Sequence, residues 1–461
     1  MFTENHISVN DLVCALSEAV DLVSRNLSNH HKKVAYLAYS IAQKMKLPSN
    51  DIQDIILASL LHDIGAFTLE ERIKLSSFES SEDGPNQHAI FGYKLLSGFA
   101  PLEKAAELIR HHHADYIKTR DRIPRDGIPV GSYIIHLADR ISVLIDDRHE
   151  ILKQVPEALA TISKKRSSFH PQAFQAFTRL AFREAFWMEA FLPSSNSSIV
   201  AEKIKSSGEI NQLETLRKFS EIFAQIIDFR SRFTATHSSG VAAVAMELAA
   251  IDGFSRRECQ LMEIAGLFHD LGKLAIPSKI LEKNGSLDEE ELNCIKKHTY
   301  YTHLILRKIK GLERITLLAA FHHERIDGTG YPFRIKGRDL SKLARIMAVS
   351  DIMTALMEDR PYRLGMGKEE TIRTLFMMAE NGRIDKGIVA LANDNFRRID
   401  EARIRAQSKA QKDYEAFYEA VVDMETYFKH EISSSSLLSA VPAALMSMEN
   451  FDEAKSTEYF H

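Results

Sequence analysis

The sequence predicts an all-α fold built as two similar halves, and three observations carry that expectation. Apolar residues recur at helical rather than strand spacing, glycine and proline collect between the apolar stripes, and one set of histidines and aspartates occurs twice in the same order. A chain of 461 residues, about three times the ~150 of an ordinary domain, also needs more than one core. Hydrophobic residues at 45% and charged residues at 26% are ordinary globular usage and exclude a disordered or fibrous chain.

Residues 1–20 contain acids and no apolar run behind a basic start, so no signal peptide is expected. Val34, Leu37, Ala38 and Ile41 form the first clear helical stripe. The serine-rich passage from Pro193 to Gly208 reads as the main linker. Beyond it, Val241, Val244, Ala245 and Leu248 form a second stripe, and Leu261, Ile264, Leu267 and Leu271 a third. The expected division is 1–195, 205–410, and a helical extension with a loose tail over 411–461. The longest charge-free run, Ile432 to Met448, has 17 residues with four consecutive serines and a proline, too short and polar to span a bilayer. Cys14, Cys259 and Cys294 form no CxxC, which excludes a cysteine zinc site and a disulfide framework. Cytoplasm is the expected compartment. A net charge of −4 provides no basic field for nucleic acid, so neither nucleic acid nor membrane is expected as a partner; a homodimer is allowed.

The duplicated set is His30, His62-Asp63, His88, His112-His113 and Asp139, against His237, His269-Asp270, His298, His322-His323 and Asp351. The offsets are 207, 207, 210, 210 and 212, a drift too small for chance. Ten of the 19 histidines belong to it. Neutral imidazole and carboxylate suit iron, manganese, nickel, cobalt or zinc. Five histidines and two aspartates exceed the ligands of one tetrahedral ion, so two divalent ions sharing a carboxylate is the economical reading. A paired-metal site implies hydrolysis, with water activated near neutral pH to attack phosphorus.

The second half resembles the HD-GYP phosphodiesterases, a branch of the HD metal-dependent phosphohydrolases. The matching residues are Thr236-His237-Ser238, His269-Asp270-Leu271-Gly272-Lys273, and His322-His323-Glu324-Arg325-Ile326-Asp327-Gly328-Thr329-Gly330-Tyr331-Pro332. Leu343-Ala344-Arg345-Ile346, Ser350-Asp351 and Asp359-Arg360-Pro361-Tyr362-Arg363 follow, and the match covers about Glu214 to Arg363. The resemblance implies helical bundles around the metals, with His237, His269, Asp270 and Asp351 on one ion and His298, His322 and His323 on the other, Asp270 bridging. It implies that Lys273 holds the scissile phosphate, and that Lys336 and Arg345 contact phosphate or support the pocket. Asp270 and Lys273 are the expected catalytic residues. The substrate implied is a cyclic dinucleotide, cyclic di-GMP or 3'3'-cyclic GMP-AMP, opened to a linear dinucleotide or mononucleotides. A cyclic-dinucleotide receptor without turnover and an HD-type nucleotide phosphohydrolase are the competing readings.

Two departures from the family pattern matter. Arg334 stands where the family has a glycine just after Gly330-Tyr331-Pro332, so the loop must change course or hold an arginine in a glycine conformation. In the first half Ala66 stands where Lys273 does and no Gly-Tyr-Pro loop follows His113, so a regulatory, dimerising or weakly active domain is expected there. Asp327 reads as a turn residue, or as the ligand of a third ion for which Glu202 and Glu214 are upstream candidates.

Overall fold

A computed structural model describes residues 7–21, 29–66, 87–119, 127–192, 200, 202, 209–210, 212–229, 236–283, 285–359 and 364–432, the side chains of 209, 229 and 423–432 apart. Most of the expected linker, Arg120-Asp121-Arg122, residues 360–363 and the tail beyond 432 lie outside these.

Five helices of each half correspond. His30–Lys44, Ser49–Leu61, Gln87–Ser97, Glu103–Arg110 and Val130–Ser142 recur as His237–Ile251, Arg256–Phe268, Glu289–Leu306, Glu313–Ala320 and Lys342–Met357. Capping starts several of them. Ser255 and Glu258 form a reciprocal capping box, as do Asp288 and Glu291, and the Ser341 hydroxyl accepts from the Ala344 N–H. The predicted stripes are buried, at 0% exposure for Val34, Leu37, Ala38 and Ile41 and for Val241, Val244, Ala245 and Leu248. The third stripe outruns its helix, because α-helical structure stops at Phe268 and Leu271 opens a tight 3-10 turn, Leu271–Ala275.

The halves share one apolar core rather than holding two. Helix Val9–Asp21 packs on Ser49–Leu61 of its own half and reaches across to the Leu271–Ala275 turn and to Glu289–Leu306. Glu18 on that helix pairs with both Lys32 and Lys308, one from each half. A two-residue antiparallel clip, Ile7 opposite Ile210 and Ser8 opposite Glu209, joins the chain start to the start of the second half. The expected boundary at 410 falls inside a continuous helix, Phe396–Ile432, which packs on both His237–Ile251 and Gln87–Ser97. Among the described residues no helix is long and apolar enough to cross a membrane.

Candidate metal centre

Each duplicated landmark sits where a helix begins, ends or crosses another. His237 opens its helix, His269 and Asp270 follow the last turn of Arg256–Phe268, and His322 and His323 follow Glu313–Ala320. His298 and Asp351 project from within Glu289–Leu306 and Lys342–Met357. The turn after Asp270 crosses Glu289–Leu306 so closely that a Cβ at Gly272 would lie 1.8 Å from the His298 carbonyl oxygen. The Thr302 hydroxyl fixes the crossing, accepting from the Gly272 N–H at 2.9 Å and donating to the His269 carbonyl at 3.0 Å.

Four of the histidines converge on Asp270. Its Oδ2 lies 3.1 Å from His269 Nε2 and 3.9 Å from His237 Nε2, while Oδ1 lies 3.5 Å from His298 Nε2 and 4.0 Å from His322 Nε2. Asp351 Oδ1 lies 3.3 Å from His237 Nε2, and Oδ2 lies 3.7 Å from His323 Nδ1. The two oxygens of Asp270 thus face two separate histidine groups, a bridging arrangement.

The nitrogens suit a cation. His269, His298 and His322 each donate Nδ1–H to the carbonyl three residues earlier, at 2.6 Å, which leaves the Nε2 lone pair pointing inward. Burial holds His298 down to about 3 and pushes His322 well below the usual imidazole range, so both are neutral. Their Nε2 atoms nevertheless face each other at 3.2 Å, lone pair to lone pair. His269 Nε2 is buried without a hydrogen-bond partner. A positive ion between such donors removes the repulsion and satisfies the orphaned nitrogen. The donor atoms of His298, His322 and His323 lie within 4.8 Å of one another, as do those of His237, His269 and Asp351.

Lys273 is placed at this centre, its Nζ 2.6 Å from Asp270 Oδ2 and its side chain 23% exposed. Lys336 and Arg345 lie elsewhere. Lys336 is exposed, with its stem against Gly328, and Arg345 pairs with Asp385 at 2.5 Å in a narrow cleft behind the loop. Arg345 thus stands beside the loop with its charge paired to Asp385. Asp327 is exposed and accepts from the Thr329 N–H and hydroxyl, an Asx turn. Glu214 faces solvent against Arg217, and Glu202 is exposed.

The Gly-Tyr-Pro loop folds back over the second histidine group. A Cβ at Gly330 would lie 2.4–2.6 Å from backbone atoms of His323, Glu324 and Arg325, so only glycine permits this approach. Tyr331 then lies tilted against the His323 ring, their centroids 4.9 Å apart. Arg334 takes φ 55, keeping the left-handed turn and placing an arginine in it.

Three carboxylates escaped the sequence reading. Glu358, 121 residues from His237, accepts the His237 Nδ1–H at 2.9 Å and turns Nε2 toward the aspartates. Burial works against charge on His237, but Glu358 and Asp351 outweigh it and hold the imidazole up to about 10. Asp228 is buried beside the centre and accepts from the Ser238 hydroxyl; a carboxylate within the apolar face of Leu213–Phe229 was its only sequence signal. Buried Glu324 accepts from the Phe333 and Ile335 N–H groups and pins the loop.

The first half repeats the geometry. Asp63 Oδ2 lies 3.3 Å from His62 Nε2, Asp63 Oδ1 lies 3.5 Å from His88 Nε2, and Asp139 Oδ1 lies 3.3 Å from His30 Nε2. Donors of Asp63, His88, His112 and His113 lie within 4.8 Å of one another. Two differences are chemical. Ala66 is buried where Lys273 stands, and the buried Arg140 guanidinium occupies Asp139 Oδ2 at 2.5 Å, where Asp351 faces His323 instead.

Helical bundles that gather histidines and paired aspartates in this order define a metal-binding hydrolase scaffold. Residues 27–144 and 221–388 each match a family model described as HD domain. The chain belongs to the HD-domain family, with two such domains in tandem, the second of the HD-GYP kind. It is 28% identical over 395 residues to 3'3'-cGAMP-specific phosphodiesterase 1 of Vibrio cholerae, covering 84% of this chain and 91% of that protein. It is 38% identical over 159 residues to phosphodiesterase 3 of the same name and organism, 34% of each chain. A cyclic di-GMP phosphodiesterase of Pseudomonas aeruginosa is 37% identical over 33% of this chain and 37% of its own length. A crystal structure of a cyclic GMP-AMP specific phosphodiesterase of Vibrio cholerae shares the fold, with a TM-score of 0.57 and 21% identity over 86% of this chain and 98% of that one.

Proposed function

We propose that the second domain is a metal-dependent phosphodiesterase that hydrolyses a cyclic dinucleotide, 3'3'-cyclic GMP-AMP or cyclic di-GMP. The observation that carries this is the opposed pair of neutral Nε2 lone pairs beside an aspartate that faces both histidine groups, with a lysine 2.6 Å from it. His237, His269, Asp270 and Asp351 would hold one divalent ion, and His298, His322, His323 and Asp270 the other. Bound divalent ions supply activation of water and stabilisation of charge on phosphate oxygens.

The remaining work falls to this chain's own groups. Lys273, partly exposed beside Asp270, would offset the charge that builds on a phosphate oxygen held at the centre. Tyr331 walls the site above His323, and Glu324 keeps that wall in place. Phe333 and Tyr300, 40% and 45% exposed and 6.2 Å apart, offer flat apolar faces for a purine next to the loop. The first domain keeps a ligand set yet, among the described residues, has no lysine beside Asp63, which supports metal binding there without efficient hydrolysis.

Incubating manganese-loaded chain with 3'3'-cyclic GMP-AMP, cyclic di-GMP and dGTP, and separating the products by chromatography, tests the reading. Linear dinucleotide or mononucleotides from the cyclic substrates are expected. Tight binding of intact cyclic dinucleotide would favour a receptor, and consumption of dGTP alone a nucleotide phosphohydrolase.

A further inference from the structure

The long C-terminal helix Phe396–Ile432 begins after the matched HD region ends at 388, yet it reaches the metal centre. Gln407 Nε2 donates to Glu358 Oε1 at 2.6 Å, while Glu358 Oε2 accepts from His237 Nδ1 at 2.9 Å. The amide cannot be reversed, because Arg403 Nη1 donates to Gln407 Oε1 at 2.5 Å and so fixes which end of the amide is the acceptor. Arg403 is itself held by Asp400 on the same helix. A relay therefore runs Arg403, Gln407, Glu358, His237, and its last member faces Asp351 at 3.3 Å.

The packing is built for this contact. Gly240, one turn along from His237, lies against Gln407: a Cβ there would stand 2.6 Å from Gln407 Nε2 and 3.0 Å from its Cδ. Farther along the same helix, Phe417 stacks on Phe91 at 5.5 Å and Tyr418 meets that ring edge-on at 5.5 Å. Phe91 belongs to Gln87–Ser97, the helix that carries His88 of the first domain's histidine group. About ten residues of helix, roughly 15 Å, separate the two attachments.

We propose that Gln407 is a positioning residue for the second domain's metal centre: it locks the Glu358 carboxylate that aims His237, and the first domain anchors the helix that carries it. The inference rests on the metal reading above. Carboxylates behind a ligating histidine fix its tautomer and tune its basicity, and their loss lowers metal affinity by about 10–100-fold. Gln407 acts through one of these, so the lower end of that range is expected.

The test is manganese(II) affinity of the full chain, by competition with a chromophoric chelator at one pH. Gln407→Leu, which keeps the volume, is expected to weaken manganese binding about 10-fold. Gly240→Ala, which pushes the amide aside without touching its chemistry, is expected to act in the same direction. In a Glu358→Ala background, Gln407→Leu is expected to change affinity by less than about 2-fold, because the path through the carboxylate is already cut. Wild-type affinity in Gln407→Leu, or its full effect persisting in the Glu358→Ala background, overturns the relay while leaving the metal reading intact. Failure of the wild-type chain to bind manganese overturns both.

Discussion

Replacing Lys273 with methionine separates two roles that a single loss of activity would blur. The ammonium lies 2.6 Å from Asp270 Oδ2 in a side chain 23% exposed. Two unit charges at that distance attract by about 6 kcal/mol at an effective dielectric of ~20, before desolvation and screening, which for partly exposed pairs leave roughly 1 kcal/mol. That residue of attraction opposes any divalent ion that claims the same oxygen. Lys273→Met should therefore bind manganese as tightly as wild type or up to ~5-fold more tightly. Turnover should move the other way, because removing one preorganised donor to developing charge costs about 10²–10³ in kcat, or ~2.7–4 kcal/mol. Chelator competition and product chromatography on the same preparation measure both. Weaker metal binding together with unchanged kcat would refute the assignment of Lys273 to the phosphate.

Further expectations concern the loop, the base and acid stability. Gly330→Ala places a Cβ within 2.4–2.6 Å of three backbone atoms that cannot step aside, a strain of about 1–3 kcal/mol. It should lower kcat/KM at least ~10-fold with metal content unchanged; an active variant would show that the loop is peripheral. Phe333→Ala should raise KM by about 5–150-fold with kcat kept, as expected for a lost stacking face worth ~1–3 kcal/mol, and an unchanged KM would remove Phe333 from the binding surface. His136 is buried next to Arg140, and burial first and that guanidinium second hold it down to about 4. Its folded value lies below the unfolded one, so the contribution to stability is complete above ~6.5 and is lost as pH falls from there toward 4, by up to roughly 3 kcal/mol. Melting temperature against pH should fall less steeply in His136→Leu than in wild type; parallel curves would contradict this.

The ligand set was legible because each member sits at a helix start, helix end or crossing, and those positions repeat at nearly constant offsets in the chain. The same local logic made the Arg334 conflict visible, and the structure resolves it by keeping the left-handed backbone at φ 55. What stayed hidden depends on partners remote in sequence. Glu358 has meaning only once it meets His237, Gln407 only once it meets Glu358, and Arg345 only once Asp385 takes up its charge. The shared core was equally unreadable, since the apolar face of Val9–Asp21 carries no mark that it will pack on both halves at once. A strand pair of two residues is too short to leave a periodic signal.

On the proposed function, hydrolysis belongs to the second centre and not to its copy. The most direct measurement is the fate of 3'3'-cyclic GMP-AMP with the full chain carrying Asp270→Ala in one preparation and Asp63→Ala in another, products resolved by chromatography after manganese loading. Linear product is expected from the Asp63→Ala chain and intact cyclic dinucleotide from the Asp270→Ala chain. Cleavage that survives Asp270→Ala and disappears with Asp63→Ala would contradict it.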